Sequence, residues 1–219
     1  MSYEKSALII TGGKLDIEFA KEYTNCHTFD CYIAVDNGLS SMEQLLLSPD
    51  VLVGDFDTVR PELVLKYKSN NNITIVELNP EKDETDTESA IDYIIQRGYN
   101  KVVLLGALGG RFDHTLSNLH MLYRLLQHNI KGNLVDEHNC IYLIDRPHTI
   151  EKKKLYGTYI SLLPFTSEVN NLSLHGFKYP LNHACLNVGT SLGISNEAVD
   201  SECSITFCEG VLIVIEAHD

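Results

Sequence analysis

The chain has 219 residues, 44% of them hydrophobic and 21% charged, which is enough apolar material for a buried core without disulfide or metal staples. Asp and Glu number 30 against 17 Lys and Arg, for a net charge of -13, and a field of that sign repels duplex nucleic acid and anionic membranes. The six cysteines form no CxxC pair, and no apolar run is long enough for a signal peptide or a bilayer span, so the expectation is a cytoplasmic protein with reduced thiols.

In chain order, short apolar runs at 7–10, 32–35, 51–53, 73–78, 101–105 and 140–144 read as strands. Helical spacing predicts a helix over 88–97, where Ile91, Ile94 and Ile95 share one face and Gly98 follows as a C-cap. A second helix is predicted over 114–128, with Leu116, Leu119, Tyr123 and Leu126 on one face. Strands alternating with helices predict an α/β fold, a mostly parallel sheet with flanking helices. After about Pro147 the texture changes. Lys152-Lys153-Lys154 reads as a solvated turn leading to Gly157, a plausible joint. Short β-rich pieces follow at 159–163, 172–174, 184–188, 204–207 and 211–216, punctuated by Gly, Pro and Asn. They predict a small all-β sandwich. The expected division is an α/β domain over 1–146 and a β-sandwich domain over 147–219.

The chemistry-bearing residues fall just after the apolar runs. Gly12 and Gly13 follow the first strand; Asp36, Asn37 and Gly38 follow the second. Gly54-Asp55-Phe56-Asp57 follows the third, and Gly106 to Arg111 follows the strand at 101–105. In an open parallel sheet such loops share the carboxyl edge, where ligands bind at the switch point. In an extended loop Asp55 and Asp57, two residues apart, turn both carboxylates toward one hard cation such as Mg2+, although the same pair also suits a solvated turn. A second acidic segment holds Glu81, Asp83, Glu84, Asp86 and Glu88. Part of it is explained by a capping box, Thr85 to Glu88, at a helix start. Crowding beyond that need implies a screening cation. Gly109 and Gly110 let backbone amides approach a phosphate, Arg111 adds a cationic fork, and Asp113 is an N-cap candidate at the helix that opens there. His114 suits a phosphate donor, a general acid or a structural hydrogen bond. Walker, dinucleotide, GxSxG and HExxH patterns are all missing from the sequence.

On these residues the sequence resembles the thiamine pyrophosphokinases (thiamine diphosphokinases), with the matching elements in the family's order along nearly the whole chain. Asp36-Asn37-Gly38 is similar to the acidic-glycine turn, and Gly54-Asp55-Phe56-Asp57 to the GDFDS element, with Thr58 in place of serine. The stretch from Lys82 to Ala90 resembles KDxTDxExA, and Gly106 to His114 resembles GxxGGRxDH. In the tail, Gly176 to Leu181 is similar to GxxYPL, and Gly193 to Glu197 to GxSNE. Asn37 stands where many members have glycine, and Asn tolerates positive φ. The chain has no Trp, so stacking on thiamine would fall to Tyr, Phe or His.

The resemblance implies transfer of a pyrophosphoryl group from ATP to the thiamine hydroxyl, with Mg2+, giving thiamine diphosphate and AMP. It implies a homodimer with thiamine between the α/β domain of one subunit and the sandwich of the other, and it places Ser195 and Asn196 at the thiamine-contacting position. Asp55, Asp57, Asp83 and Asp86 are the expected metal ligands. Gly12, Gly13, Asp36, Asn37, Gly38, Thr85, Gly109, Gly110, Arg111, Asp113 and His114 are expected to hold ATP, and Asp83 or Asp86 to accept the hydroxyl proton. Competing readings are a DxD-type nucleotidyl- or glycosyltransferase, which leaves the second acidic segment and the β-rich tail unused, and a non-catalytic nucleotide sensor.

Overall fold

In the computed structural model, residues 4–77 and 84–219 are described. The chain divides into two compact units, Met1–Glu137 and His138–Asp219.

The first unit alternates strand and helix. Its strands are β1 (Ser6–Ile10), β2 (Cys31–Val35), β3 (Val51–Gly54), β4 (Thr74–Glu77), β5 (Lys101–Leu105) and β6 (Lys131–Val135). Its helices are α1 (Ile17–Cys26), α2 (Gly38–Gln44), α3 (Pro61–Lys68), α4 (Asp86–Gln96) and α5 (Phe112–Gln127). The strands lie in the order β6-β5-β1-β2-β3-β4, and every pairing is parallel. Helices on both faces leave β1 and β5 buried almost throughout, which is why they read as unbroken apolar runs. Leu8, Ile9, Ile10, Ile33, Leu52, Leu104 and Leu105 are wholly enclosed. Strand β1 is central: the chain leaves it toward β2 on one side and returns as β5 on the other. The strand order therefore reverses between β1 and β5, and a crevice opens there at the carboxyl ends.

Local chemistry sets the helix ends. Thr85 precedes α4 and its hydroxyl accepts the Glu88 N–H at 3.2 Å, the cap that the sequence predicts. Asp16 caps α1 by accepting the Phe19 N–H at 2.8 Å. Pro61 opens α3 at a position that needs no N–H. The turn after β2 departs from expectation. Asn37 is right-handed (φ -65), and Asp36 takes the positive φ of 47. Gly38 then lies so close to β1 that a Cβ on it would fall 2.0 Å from the Ile10 carbonyl oxygen. Glycine is required there by contact, with the left-handed residue placed earlier.

The second unit contains β7 (Asn139–Ile144), β8 (His148–Glu151), β9 (Tyr159–Pro164), β10 (Glu168–His175), β11 (Leu181–Asn187), β12 (Asn196–Glu197), β13 (Glu202–Thr206) and β14 (Leu212–Ala217). They form two antiparallel layers, β12-β9-β14-β7 and β11-β10-β13-β8. Inward residues of both layers, among them Ile160, Leu162, Leu172, Leu174, Ile205, Leu212 and Val214, share one core, as a sandwich requires. The strand at 140–144, which the sequence groups with the parallel set, pairs antiparallel with β14 along its length. The division by contacts accordingly falls at Glu137/His138, upstream of the change in sequence texture at 147. Among the described residues no helix is long and apolar enough to cross a membrane.

Leu104 is fully buried at the centre of the parallel sheet. Leu104→Ala is expected to lower unfolding free energy by about 2–5 kcal/mol through the cavity it leaves, read as a lower urea midpoint with unchanged slope.

Candidate active site

At the switch point the loops after β1 and β5 cross at backbone contact. The buried Thr11 hydroxyl donates to the Gly106 carbonyl oxygen at 2.6 Å, and the Thr11 N–H donates to the Leu105 carbonyl oxygen at 3.0 Å. A Cβ on Gly13 would sit 2.2 Å from the Gly106 oxygen. A glycine pair and a small hydroxyl residue are what this crossing admits. Around it, the loops after β1, β2, β3 and β5 and the start of α4 line a cleft of about 550 Å³. Gly12, Gly13, Asp36, Asn37, Asp55, Thr85, Asp86, Gly109, Gly110, Arg111 and His114 all border it. Residues far apart in sequence thus share one rim.

The acidic side carries the electrostatics. Asp36 is directed at Gly54, where a Cβ would fall 2.0 Å from Asp36 Oδ1. Gly54 also has a φ of 142, so space and backbone both demand glycine. Burial, a hydrogen bond with the Asp86 carboxyl, and the charges of Asp86 and Asp55 push the Asp36 carboxyl up to about 8. Its Oδ1 is buried with no hydrogen-bond partner. Crowded carboxylates with an orphaned oxygen are the donor chemistry that a hard divalent cation satisfies. The described side chains do not by themselves form a cluster of three or more His, Cys, Asp or Glu able to hold a metal ion. Asp36, Asp55 and Asp86 are carboxylates that border this side of the cleft. Asp83 lies outside the described residues.

Asp57 sits differently from the sequence expectation. Phe56, buried and at φ 62, reverses the chain. Asp57 is exposed and does not border the cleft. Its N–H instead donates to Asp55 Oδ1 at 3.1 Å. The alternation that would aim both carboxylates at one ion requires an extended loop, and this loop is a turn. Glu88 is likewise occupied elsewhere: Arg124 bridges it and Asp92 at 2.7 and 2.6 Å.

On the anion side, Gly109 and Gly110 are consecutively left-handed, at φ 79 and 73. No neighbour crowds Gly110, so conformation rather than space selects glycine there. The loop is anchored by buried Asn118, whose Nδ2 donates to the Ala107 carbonyl oxygen at 2.9 Å. Asp113 is not the N-cap of α5. Arg111 holds the cap position, without a side-chain bond, and Asp113 lies in the first turn. Its carboxylate grips the Arg111 guanidinium with two hydrogen bonds, 3.2 and 2.6 Å. That pairing holds the Asp113 carboxyl down at about 2. The sequence reading missed Lys14, Thr58 and Asn118, which also border the cleft. Lys14 had a signal, since it follows the glycine pair at the strand end; Asn118, inside a helix, had none.

In the second unit the elements around Tyr179 and Asn196 form one knot. The Asn196 carboxamide accepts the Tyr179 N–H at 2.9 Å and donates to the Tyr179 carbonyl oxygen at 2.8 Å. Asn196 is 4% exposed, and its side chain works as a clip. Ser195, at φ 54, is exposed and donates its N–H to the Ser161 hydroxyl at 3.0 Å. Tyr179, Leu192 and Ile194 are exposed on the same unit.

With this geometry in view, two family descriptions match the chain: "Thiamin pyrophosphokinase, catalytic domain" over residues 23–134 and "Thiamin pyrophosphokinase, vitamin B1 binding domain" over residues 147–212. The chain is 33% identical to thiamine pyrophosphokinase of Bacillus subtilis, over 98% of this chain and 100% of that one. It is 30% identical to thiamine pyrophosphokinase 1 of rice, over 72% of this chain and 62% of that one. The crystal structure of thiamine pyrophosphokinase from Bacillus subtilis superposes with a TM-score of 0.87, covering 98% of this chain and 100% of that one at 33% identity. The yeast thiamin pyrophosphokinase structure shares the fold, with a TM-score of 0.82 at 18% identity over 100% of this chain and 88% of that one.

The Asp36 carboxyl has a signature in stability. Its folded value of about 8 exceeds the ordinary 3.8, so folding takes up a proton between those limits. Stability of the metal-free chain must therefore fall as pH rises through that window. Asp36→Asn is expected to flatten the fall, read as urea midpoints in chelator at pH about 5 and about 8. Equal slopes in the two proteins would remove the electrostatic account.

Proposed function

The chain belongs to the thiamine pyrophosphokinase family, and we propose that the cleft at its switch point is where that chemistry takes place. The enzyme is an ATP:thiamine diphosphotransferase. It transfers the pyrophosphoryl group of ATP to the hydroxyl of thiamine, giving thiamine diphosphate and AMP. The observation that carries the placement is the crowding of Asp36, Asp55 and Asp86, with an orphaned buried oxygen, opposite a glycine–arginine rim in one cleft.

In the reaction the thiamine oxygen bonds to the β-phosphorus while the bond from that phosphorus to the AMP oxygen breaks. Such transfers need positioning and charge neutralisation more than covalent help. The amides of Gly109 and Gly110 and the Arg111 fork bind phosphate oxygens. Asp36, Asp55 and Asp86 would hold Mg2+, which supplies charge neutralisation on the phosphate chain. This set includes Asp36 in place of Asp57, which does not border the cleft. The Asp36–Asp86 pair, which already shares a hydrogen bond, is assigned the proton of the thiamine hydroxyl.

The domain from 147 onward supplies the thiamine side, a reading supported by the match of residues 147–212 to the vitamin B1 binding description. Ser195 contacts thiamine directly, and Asn196 acts by holding the Tyr179 segment in place. Assembly is a homodimer, with thiamine between the catalytic domain of one protomer and the sandwich of its partner. The exposed Tyr179, Leu192 and Ile194 support that reading, since apolar side chains of this size favour cover. The six free thiols support a reducing, cytoplasmic setting.

Incubation with ATP, thiamine and Mg2+ should release AMP and thiamine diphosphate in equal amounts; thiamine-independent AMP, or none, would overturn the reading. Asp55→Asn and Asp86→Asn should each cut kcat by about 100-fold or more, while Asp57→Asn should cost far less. Ser195→Ala should raise the thiamine KM more than the ATP KM.

A further inference from the structure

We propose that Lys14 is the side-chain cation that binds the polyphosphate of the nucleotide, ahead of Arg111. The inference rests on the cleft being the ATP site. Among the described residues that border the cleft, the permanently cationic side chains are Lys14 and Arg111, set against the acids Asp36, Asp55, Glu84 and Asp86. A polyanion entering so acidic a space needs positive charge that is not already neutralised.

Arg111 does not meet that need as it stands. Its guanidinium is gripped by Asp113 through two hydrogen bonds, at 3.2 and 2.6 Å, and the pair is close to neutral overall. A phosphate would have to compete with a carboxylate already in bidentate contact. Lys14 makes no ion pair with any described residue, in contrast to Arg111. It is exposed on the loop after β1, directly after Gly12 and Gly13.

The placement is a built one. A Cβ on Gly109 would lie 3.8 Å from Lys14 Cβ and 3.9 Å from its Cδ. The aliphatic stem of Lys14 therefore runs within van der Waals reach of Gly109. Glycine is selected at 109 by its left-handed turn at φ 79, and that turn brings the β5 loop alongside the lysine stem. Lys14 borders the same cleft as Gly109 and Gly110. A compact charge with freely rotating donors suits a phosphate chain that changes shape during transfer. Sequence reasoning favoured Arg111 because arginine is the better fork; in the structure two donors of that fork are shared with Asp113.

The test uses the full-length protein. Binding of ATP with Mg2+ and of adenosine is measured by displacement of a fluorescent ATP analogue, alongside KM for ATP and for thiamine. Lys14→Met is expected to weaken ATP about tenfold or more while leaving adenosine affinity and the thiamine KM within about twofold, and Lys14→Arg to recover most of the loss. Asp113→Asn, which frees the Arg111 fork, is expected to restore part of the ATP affinity in the Lys14→Met background. Unchanged ATP affinity in Lys14→Met, with the native protein binding and turning over, would overturn the lysine assignment alone. An equal loss for ATP and adenosine in both Lys14→Met and Lys14→Gln would mean a structural role and overturn it as well. If the native protein neither binds ATP nor releases AMP with thiamine, the site reading falls and the lysine assignment with it.

Discussion

The hydroxyl of Thr11, donated to the Gly106 carbonyl oxygen at 2.6 Å, ties together the loops that leave β1 and β5. Those strands are neighbours whose onward connections run to opposite sides of the sheet. Their loops can therefore diverge and leave a crevice, or be held in contact at its floor. The bond does the second, and it needs Gly13 and Gly106 bare because each approaches the other loop's backbone too closely for a side chain. From that floor the remaining geometry follows. The β1 loop carries Lys14 up one wall; the β5 loop continues through Gly109 and Gly110 to the start of α5.

Opposite this rim, like charges are held together against their repulsion. Asp36 is fixed by its own backbone, with its N–H donated to the Val53 carbonyl oxygen at 3.0 Å and its carboxylate filling the space that Gly54 leaves. Asp86 is fixed as the first residue of α4, behind the Thr85 cap. Neither can withdraw, so the strain appears as a raised Asp36 carboxyl and an unpartnered oxygen. On the proposed reading, a cation entering this site relieves that repulsion and so couples its own binding to that of the phosphates. The adjoining cationic wall is also pre-arranged, with one cation committed to Asp113 and the other open.

The fold class was legible because periodicity is local. Runs such as Ala7–Ile10 are apolar at every position, since β1 is covered on both faces, while Ile91, Ile94 and Ile95 recur at helical spacing. The first unit's shorter helices were harder. Helix α2 has only seven residues, too few to display a period. The pairing direction of the strand at 140–144 was not legible, because an apolar run does not record whether its partner is parallel or antiparallel; that depends on β14, some 70 residues later in the chain. The surroundings of Asp57 were not legible for a related reason: a two-residue spacing reads as an extended loop, and the left-handed Phe56 makes this one a turn.

By itself, then, the sequence determined which residue types meet at the carboxyl edge: glycines that permit close approach, carboxylates for a cation, and basic residues for phosphate. Strand order and motif order are enough to bring them to one rim. Tertiary structure alone decided how those groups are spent. Asp113 takes Arg111, Arg124 takes Glu88, Tyr179 takes the Asn196 carboxamide, and Asp36 meets Asp86 and Asp55. Such pairings turn on ångström-scale competition between partners that lie on different turns or loops, and a linear pattern carries the identity of each group but not the distance at which it meets its rivals.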